Sequence, residues 1–292
     1  MPRLLPRVTS RFWSDVSDTN STNPHHPCAI ILAAGKGTRM GSDLPKVVHE
    51  VGDRPMVSIV AEACRSVGCE PIVAVVGHGR EHVERALEGA AGEVRFALQA
   101  EQLGTGHAVL AAEESLEGIA PDTDVLVLCG DGPLIRAETL RTLLDVHTRS
   151  GAAATLATAV VEDPTGYGRV VRDSEGRFAR IVEQKNATDA ELAIREINPS
   201  YYCFKLGPLM DALRRVERNP KTGEYYLTDV PAMLLAEGAT VEVVDAVPAE
   251  DVLSINTPEQ LAEVDRIYRQ RLEVAADHGQ GAGRGAGEGV RP

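Results

Sequence analysis

Short runs of β-branched and apolar residues alternate along this chain with stretches of helical periodicity. That alternation dictates a parallel sheet covered by crossover helices more firmly than any other feature. The runs 28–32, 71–76 and 124–129 are apolar at nearly every position, as strands covered on both faces must be. Val57, Val60, Ala61 and Cys64 make one face of a helix expected over 55–67. Further helices are expected over 81–87, 105–112 and 137–148, around a weaker strand at 94–99. From Ala153 the pattern becomes strands separated by turn residues, at 153–160, 168–171, 178–184, 200–205 and 240–247, with Asp173-Ser174-Glu175-Gly176 as a hairpin turn. Helices are expected over 208–216 and 226–237, and Thr257 followed by Pro258 opens a last one over 258–272. The expected fold is therefore α/β. A Rossmann-like, doubly wound, mostly parallel lobe covers about 28–150, a smaller and partly antiparallel lobe about 151–250, and a closing segment and helix 251–272.

Bulk properties remove several function classes. The 292 residues carry a formal net charge of −13, which neither a nucleic-acid backbone nor an anionic membrane attracts. No stretch approaches the roughly 20 apolar residues of a membrane span. Five cysteines without a CxxC pair, several inside apolar runs, read as core thiols of a reducing compartment, and a cytoplasmic protein is expected. Residues 1–27 mix arginine, serine and threonine with Asp15 and Asp18 and lack an apolar signal core, so they read as a disordered tail. Residues 273–292 read as a second, flexible tail, because the glycine-rich stretch from Gly279 cannot bury enough apolar surface to offset its ordering entropy.

Leu32-Ala33-Ala34-Gly35-Lys36-Gly37-Thr38-Arg39-Met40 directly follows the first strand, at the sheet edge where ligands of open α/β folds bind. Small residues there let backbone N–H groups approach phosphate oxygens, and Lys36 and Arg39 supply the positive charge that the chain otherwise lacks. A Walker A loop is excluded by spacing, and a dinucleotide fingerprint fails because Met40 stands where its third glycine belongs. Lys46, a few residues on, can reach the same phosphates. Asp131 follows a buried strand, where a carboxylate is costly to desolvate unless it faces a cleft, a cation or a partner. Gln99 ends a strand and offers a donor and an acceptor to the edge of a nucleobase. Gly104 and Thr105 add backbone groups and a helix N-terminus. An amide can flip, so Gln99 alone does not separate uracil from cytosine.

The loop with Pro45-Lys46 resembles the signature of sugar-phosphate nucleotidyltransferases. Gln99 to Ala108, Asp163 to Arg169, Glu196-Ile197-Asn198 and Gly223 to Asp229 are similar to the uridyltransferase branch that makes UDP-N-acetylglucosamine, a cell-wall precursor, in bacterial bifunctional enzymes. The resemblance covers about residues 28 to 272 and implies a nucleotide-diphospho-sugar transferase fold. It implies UTP and a sugar 1-phosphate as substrates and Mg²⁺ as cofactor, held by Asp131 and Asn256. Leu32, Ala33, Ala34, Gly35, Lys46, Gln99, Gly104 and Thr105 would hold the nucleotide, and Gly130, Gly168, Glu183 and Asn198 the sugar. Arg39, Lys46 and Asp131 are the expected catalytic residues. An ionised sugar phosphate needs no base to attack phosphorus, so His78 and His107 are assigned structural roles.

Two departures border the expected sugar site: Cys129 replaces the family's usual tyrosine, and Pro199-Ser200 follows Asn198 in place of Thr-Gly or Ser-Gly. They leave glucose or N-acetylgalactosamine 1-phosphate open as acceptors. Another base, or a nucleotide sensor without turnover, is the alternative reading. No hexapeptide repeats of the kind that build a left-handed β-helix occur, so acetyl transfer and a trimer built on that domain are not expected.

Overall fold

The structure is a computed structural model that describes residues 26–89, 93–245 and 247–282, the side chains of Thr38 and 277–282 excepted. The tail expected over 1–27 lies outside the described residues up to position 25, and the second tail from position 283. The described residues form twelve strands: β1 Cys28–Leu32, β2 Glu50–Val51, β3 Arg54–Pro55, β4 Ile72–Val76, β5 Val94–Leu98, β6 Asp124–Cys129, β7 Ala154–Val160, β8 Gly168–Arg172, β9 Phe178–Val182, β10 Glu196–Asn198, β11 Tyr201–Lys205 and β12 Val241–Asp245. The α-helices are α1 Met56–Ser66, α2 Arg80–Leu87, α3 Thr105–Ala111, α4 Ala137–Ser150, α5 Asp189–Leu192, α6 Leu206–Leu213, α7 Val230–Ala236 and α8 Pro258–Ala282.

All of these strands except the β2–β3 hairpin join one sheet, in the order β5-β4-β1-β6-β11-β7-β10-β8-β9, with β12 also pairing β7. β5, β4, β1 and β6 are parallel, and β11 is the first antiparallel strand. Its antiparallel end, β10-β8-β9, is continuous with the parallel part through β7, so the two expected lobes share one sheet. Nearly every residue of β1, β4 and β6 is buried, which is why these runs lack polar alternation. One core lies under each face of the sheet.

A third, smaller core decides where the site forms. Met40 of the glycine loop, Leu134 beyond β6 and Ile255 before α8 pack together with Met56 and Ile59 of α1, Val51 of the hairpin and Val264 of α8. Thr257 caps α8 by accepting the Gln260 N–H at 3.3 Å, with Pro258 at the first helical position. The Gln260 side chain reaches back to accept the Asn256 N–H at 2.8 Å.

The last helix corrects an expectation. It does not close at Leu272 but continues to Ala282, because Leu272, Glu273, Ala275 and Ala276 are good helix formers and outweigh the glycines that follow. The hairpin, β10 and α5 were not foreseen; each has four or fewer residues per element, too few for periodicity to register.

At the opposite end of β6, His147 is fully buried, with Nδ1 2.8 Å from the Thr155 hydroxyl and Nε2 3.4 Å from Asp124. Lys205 also ion-pairs with Asp124. Burial alone would raise the Asp124 carboxyl, but hydrogen bonds and charge from His147 and Lys205 prevail and bring it down to about 2. A depressed carboxyl stabilises the fold above its unfolded value, and that contribution disappears as pH falls toward the folded value. Asp124→Asn should therefore lower the urea midpoint at neutral pH, with the gap to wild type closing between pH about 4 and about 2. A gap that persists at the acid end would contradict this account.

Candidate active site

The chain turns out of β1 at the sheet's carboxyl edge, where Ala33 N–H donates to Val75 at 2.9 Å and the glycine loop begins. Gly37 has φ +63°, and a Cβ there would meet Lys46 Cβ at 2.6 Å. This glycine thus permits both the left-handed turn and the approach of Lys46. The Lys46 ammonium ion-pairs with Asp131 and donates to Asn256 Oδ1 at 3.0 Å; Arg39 donates to the same oxygen at 2.8 Å. The Ile255 N–H reaches the Asp131 carbonyl at 3.3 Å. Arg39, Lys46, Asp131 and Asn256 therefore converge, although the last is far from the others in sequence. The donor set suits a hard cation: the Asp131 carboxylate and the Asn256 carbonyl oxygen already face the positive charge of Lys46.

Beside this centre a cavity of about 310 Å³ is lined by Lys36, Gly77, His78, Leu98, Gln99 and Gln102. The Gln102 amide donates to the Ala34 carbonyl and ties this wall to the glycine loop. Gly77 is required here, since a Cβ would come within 2.9 Å of Ala34 O. Gln99 is buried, its amide nitrogen facing Gly104 O and His107 Nδ1. The Thr105 hydroxyl accepts the Leu227 N–H at 3.0 Å, so it fastens the 223–229 segment rather than facing the cavity.

Gly168 and Asn198 pair across β8 and β10, and a Cβ on Gly168 would meet Ile181 at 3.0 Å. The Asn198 amide donates to the Tyr202 hydroxyl at 2.6 Å, while its oxygen accepts the Ser200 N–H at 3.2 Å. One hydrogen and one lone pair remain for a ligand. Burial raises the Glu183 carboxyl, against a hydrogen bond from Thr228 at 3.0 Å. Gly130 N–H donates to Leu32 O at 3.0 Å, joining the ends of β6 and β1. Cys129 ends β6, directly before Gly130 and Asp131. Burial pushes its thiol up to about 12, and it is not ionised at neutral pH. Ser200 holds φ +65°, a conformation that costs a residue with a side chain more than it costs glycine.

Sequence reasoning missed what braces the centre. Asp251 is fully buried, with its carboxylate 2.6 Å from Arg136 and paired also with Arg271 of α8. Arg271 donates to Leu134 O at 3.0 Å and the Tyr201 hydroxyl to Asp251 O at 3.2 Å. The segments carrying Asp131 and Asn256 are thereby cross-linked. No motif or spacing signals such a three-way pairing.

An acidic chain that gathers cations on a glycine loop, beside a base-sized cavity at the carboxyl edge of a parallel sheet, has the build of a nucleotide-handling α/β transferase. The MobA-like NTP transferase domain matches residues 29–214, and the chain belongs to that family. It is 48% identical over 244 residues to the bifunctional protein GlmU of Pelobacter propionicus, covering 84% of this chain and 52% of that protein. With GlmU of Pelotomaculum thermopropionicum it shares 50% over 244 residues, again 84% of this chain and 52% of the relative. The chain thus spans about half the length of the curated relatives it matches, corresponding to their N-terminal part. A crystal structure of UDP-glucose pyrophosphorylase complexed with UDP-glucose superimposes with a TM-score of 0.69 at 18% identity, over 84% of this chain and 99% of that one. This likeness shows the shared nucleotide-diphospho-sugar transferase fold. Among the described residues, no helix is long and apolar enough to cross a membrane.

Asp251→Ala leaves two guanidinium groups without their buried counter-charge and should cost about 3 kcal/mol in urea unfolding at neutral pH. Arg271→Ala, which leaves Arg136 in place, should cost less. A loss below about 1 kcal/mol for Asp251→Ala would contradict the bracing role.

Proposed function

We propose that the chain is a uridylyltransferase that forms UDP-N-acetylglucosamine and pyrophosphate from UTP and N-acetylglucosamine 1-phosphate. The observation that carries this reading is the convergence of Lys46, Arg39, Asp131 and Asn256 at the mouth of the glycine loop. Support for the sugar comes from the resemblance of Asp163 to Arg169, Glu196-Ile197-Asn198 and Gly223 to Asp229 to the UDP-N-acetylglucosamine branch, and for the base from the cavity holding Gln99.

In this reading a phosphate oxygen of the sugar 1-phosphate bonds to the α-phosphorus of UTP in line with the departing group. The bond from that phosphorus to the bridging oxygen breaks, and pyrophosphate leaves with the electron pair. No covalent enzyme intermediate and no base are needed. Catalysis is positioning plus neutralisation of charge, as for phosphoryl-type transfer. Asp131 and Asn256 would hold Mg²⁺, which usually takes only one or two protein oxygens and completes its shell with water and phosphate. Held there, the ion would supply neutralisation of phosphate charge. Arg39, Lys46 and the loop N–H groups hold the triphosphate, and Glu183, Gly168 and Asn198 orient the sugar. The substrates are small molecules, and a cytoplasmic setting agrees with five cysteines that form no disulfide.

Pyrophosphate release with Mg²⁺, UTP and a panel of sugar 1-phosphates tests the reading. N-acetylglucosamine 1-phosphate should be the fastest acceptor. Preference for glucose or N-acetylgalactosamine 1-phosphate would instead assign the changes at Cys129 and Pro199-Ser200 to sugar selection, and no release with any acceptor would overturn the reading. Asp131→Ala should reduce turnover at least about a hundredfold with an unchanged circular dichroism spectrum; near-normal turnover would overturn the role given to Asp131.

A further inference from the structure

Gln99 is 4% exposed, and its side chain forms part of the base-sized cavity. The two ends of an amide are alike in outline, so its orientation has to come from its neighbours. One end lies 3.1 Å from the carbonyl oxygen of Gly104. A backbone carbonyl can only accept, so that end is the NH₂ group. The same nitrogen lies 3.1 Å from His107 Nδ1. His107 must then accept through a bare Nδ1 and carry its proton on Nε2. Burial disfavours a second proton on the ring, against the opposing influence of Glu101, whose backbone carbonyl also hydrogen-bonds it. Both amide hydrogens of Gln99 are committed, and its carbonyl oxygen is the atom left for a ligand.

We propose that His107 is a positioning residue for base selection: it holds Gln99 with its oxygen presented to the cavity, so that the pocket accepts the imide N–H of uracil and disfavours cytosine. The inference rests on the UTP reading above and deepens it. Uracil carries a hydrogen on N3, whereas cytosine has a bare nitrogen there, which would set lone pair against lone pair at Gln99 Oε1. The cavity volume of about 310 Å³ lies at the small end for ligand pockets. His107 is well placed to act at a distance from the base, since it sits on α3 behind Gln99, one turn after Gly104. The histidine thus turns an ambiguous amide into a one-way reader.

The test is calorimetric binding of UTP and CTP with Mg²⁺ to the wild-type chain and to His107→Leu and His107→Asn. Leucine removes the acceptor, whereas asparagine can place Oδ1 where Nδ1 stood. Wild type should prefer UTP; His107→Leu should reduce the UTP-to-CTP affinity ratio at least about tenfold, and His107→Asn should recover most of it. A purely packing role would weaken both nucleotides alike and leave the ratio unchanged. A leucine variant that keeps the wild-type ratio, or a wild type without preference for UTP, would overturn the inference. Because the readout is binding, a chain that discriminates the bases yet releases no pyrophosphate would overturn the enzymatic reading and leave His107 in its place.

Discussion

Met40, Leu134 and Ile255 pack into one small core, and the proposed catalytic centre is built on that contact. Each apolar side chain lies close in sequence to a polar residue of the centre: Met40 beside Arg39, Leu134 shortly after Asp131, and Ile255 next to Asn256. Burying the three together forces their polar neighbours to converge at the sheet edge. The helix α8 supplies the lid of this core through Val264, with Leu261 and Tyr268 packed against it. A helix far along the chain in this way supports the candidate site.

Electrostatics then tune what packing has gathered. The chain carries a net charge of −13, yet Arg39 and Lys46 meet at a single asparagine oxygen, with the Asp131 carboxylate alongside. Two cations beside one carboxylate leave the centre locally positive, which a triphosphate can use. Behind it, the buried Asp251 with Arg136 and Arg271 shows the opposite balance: a carboxylate that would be costly alone is held between two guanidinium groups and joins the segments on either side. In the proposed reading the two clusters divide the work, one meeting the ligand and the other holding the backbone.

Much of this was legible before the fold was known, for physical reasons. The strand 124–129 was legible to the residue because an apolar run between an aspartate and a glycine has few other fates, and Asp131 stood out because burial would penalise it. The glycine loop was legible from its place after the first strand. Asn256 was reachable only by resemblance, since nothing local pairs it with Asp131. The Asp251 cluster, the direction of the Gln99 amide and the diversion of the Thr105 hydroxyl to Leu227 all depend on partners brought together by tertiary packing. The extension of α8 was missed because the glycine-rich composition beyond Gly279 masked the helix formers before it.

The central claim is that Asp131 and Asn256 act as one cation centre at the mouth of the glycine loop. The most direct measurement is Mn²⁺ affinity in the presence of UTP, followed by paramagnetic resonance, for Asp131→Ala, Asn256→Ala and the double variant. Shared coordination predicts strong coupling: each single change weakens binding at least about tenfold, and the double change adds little to the worse of the two. Fully additive losses, or Mn²⁺ affinity indifferent to both residues, would contradict a shared centre.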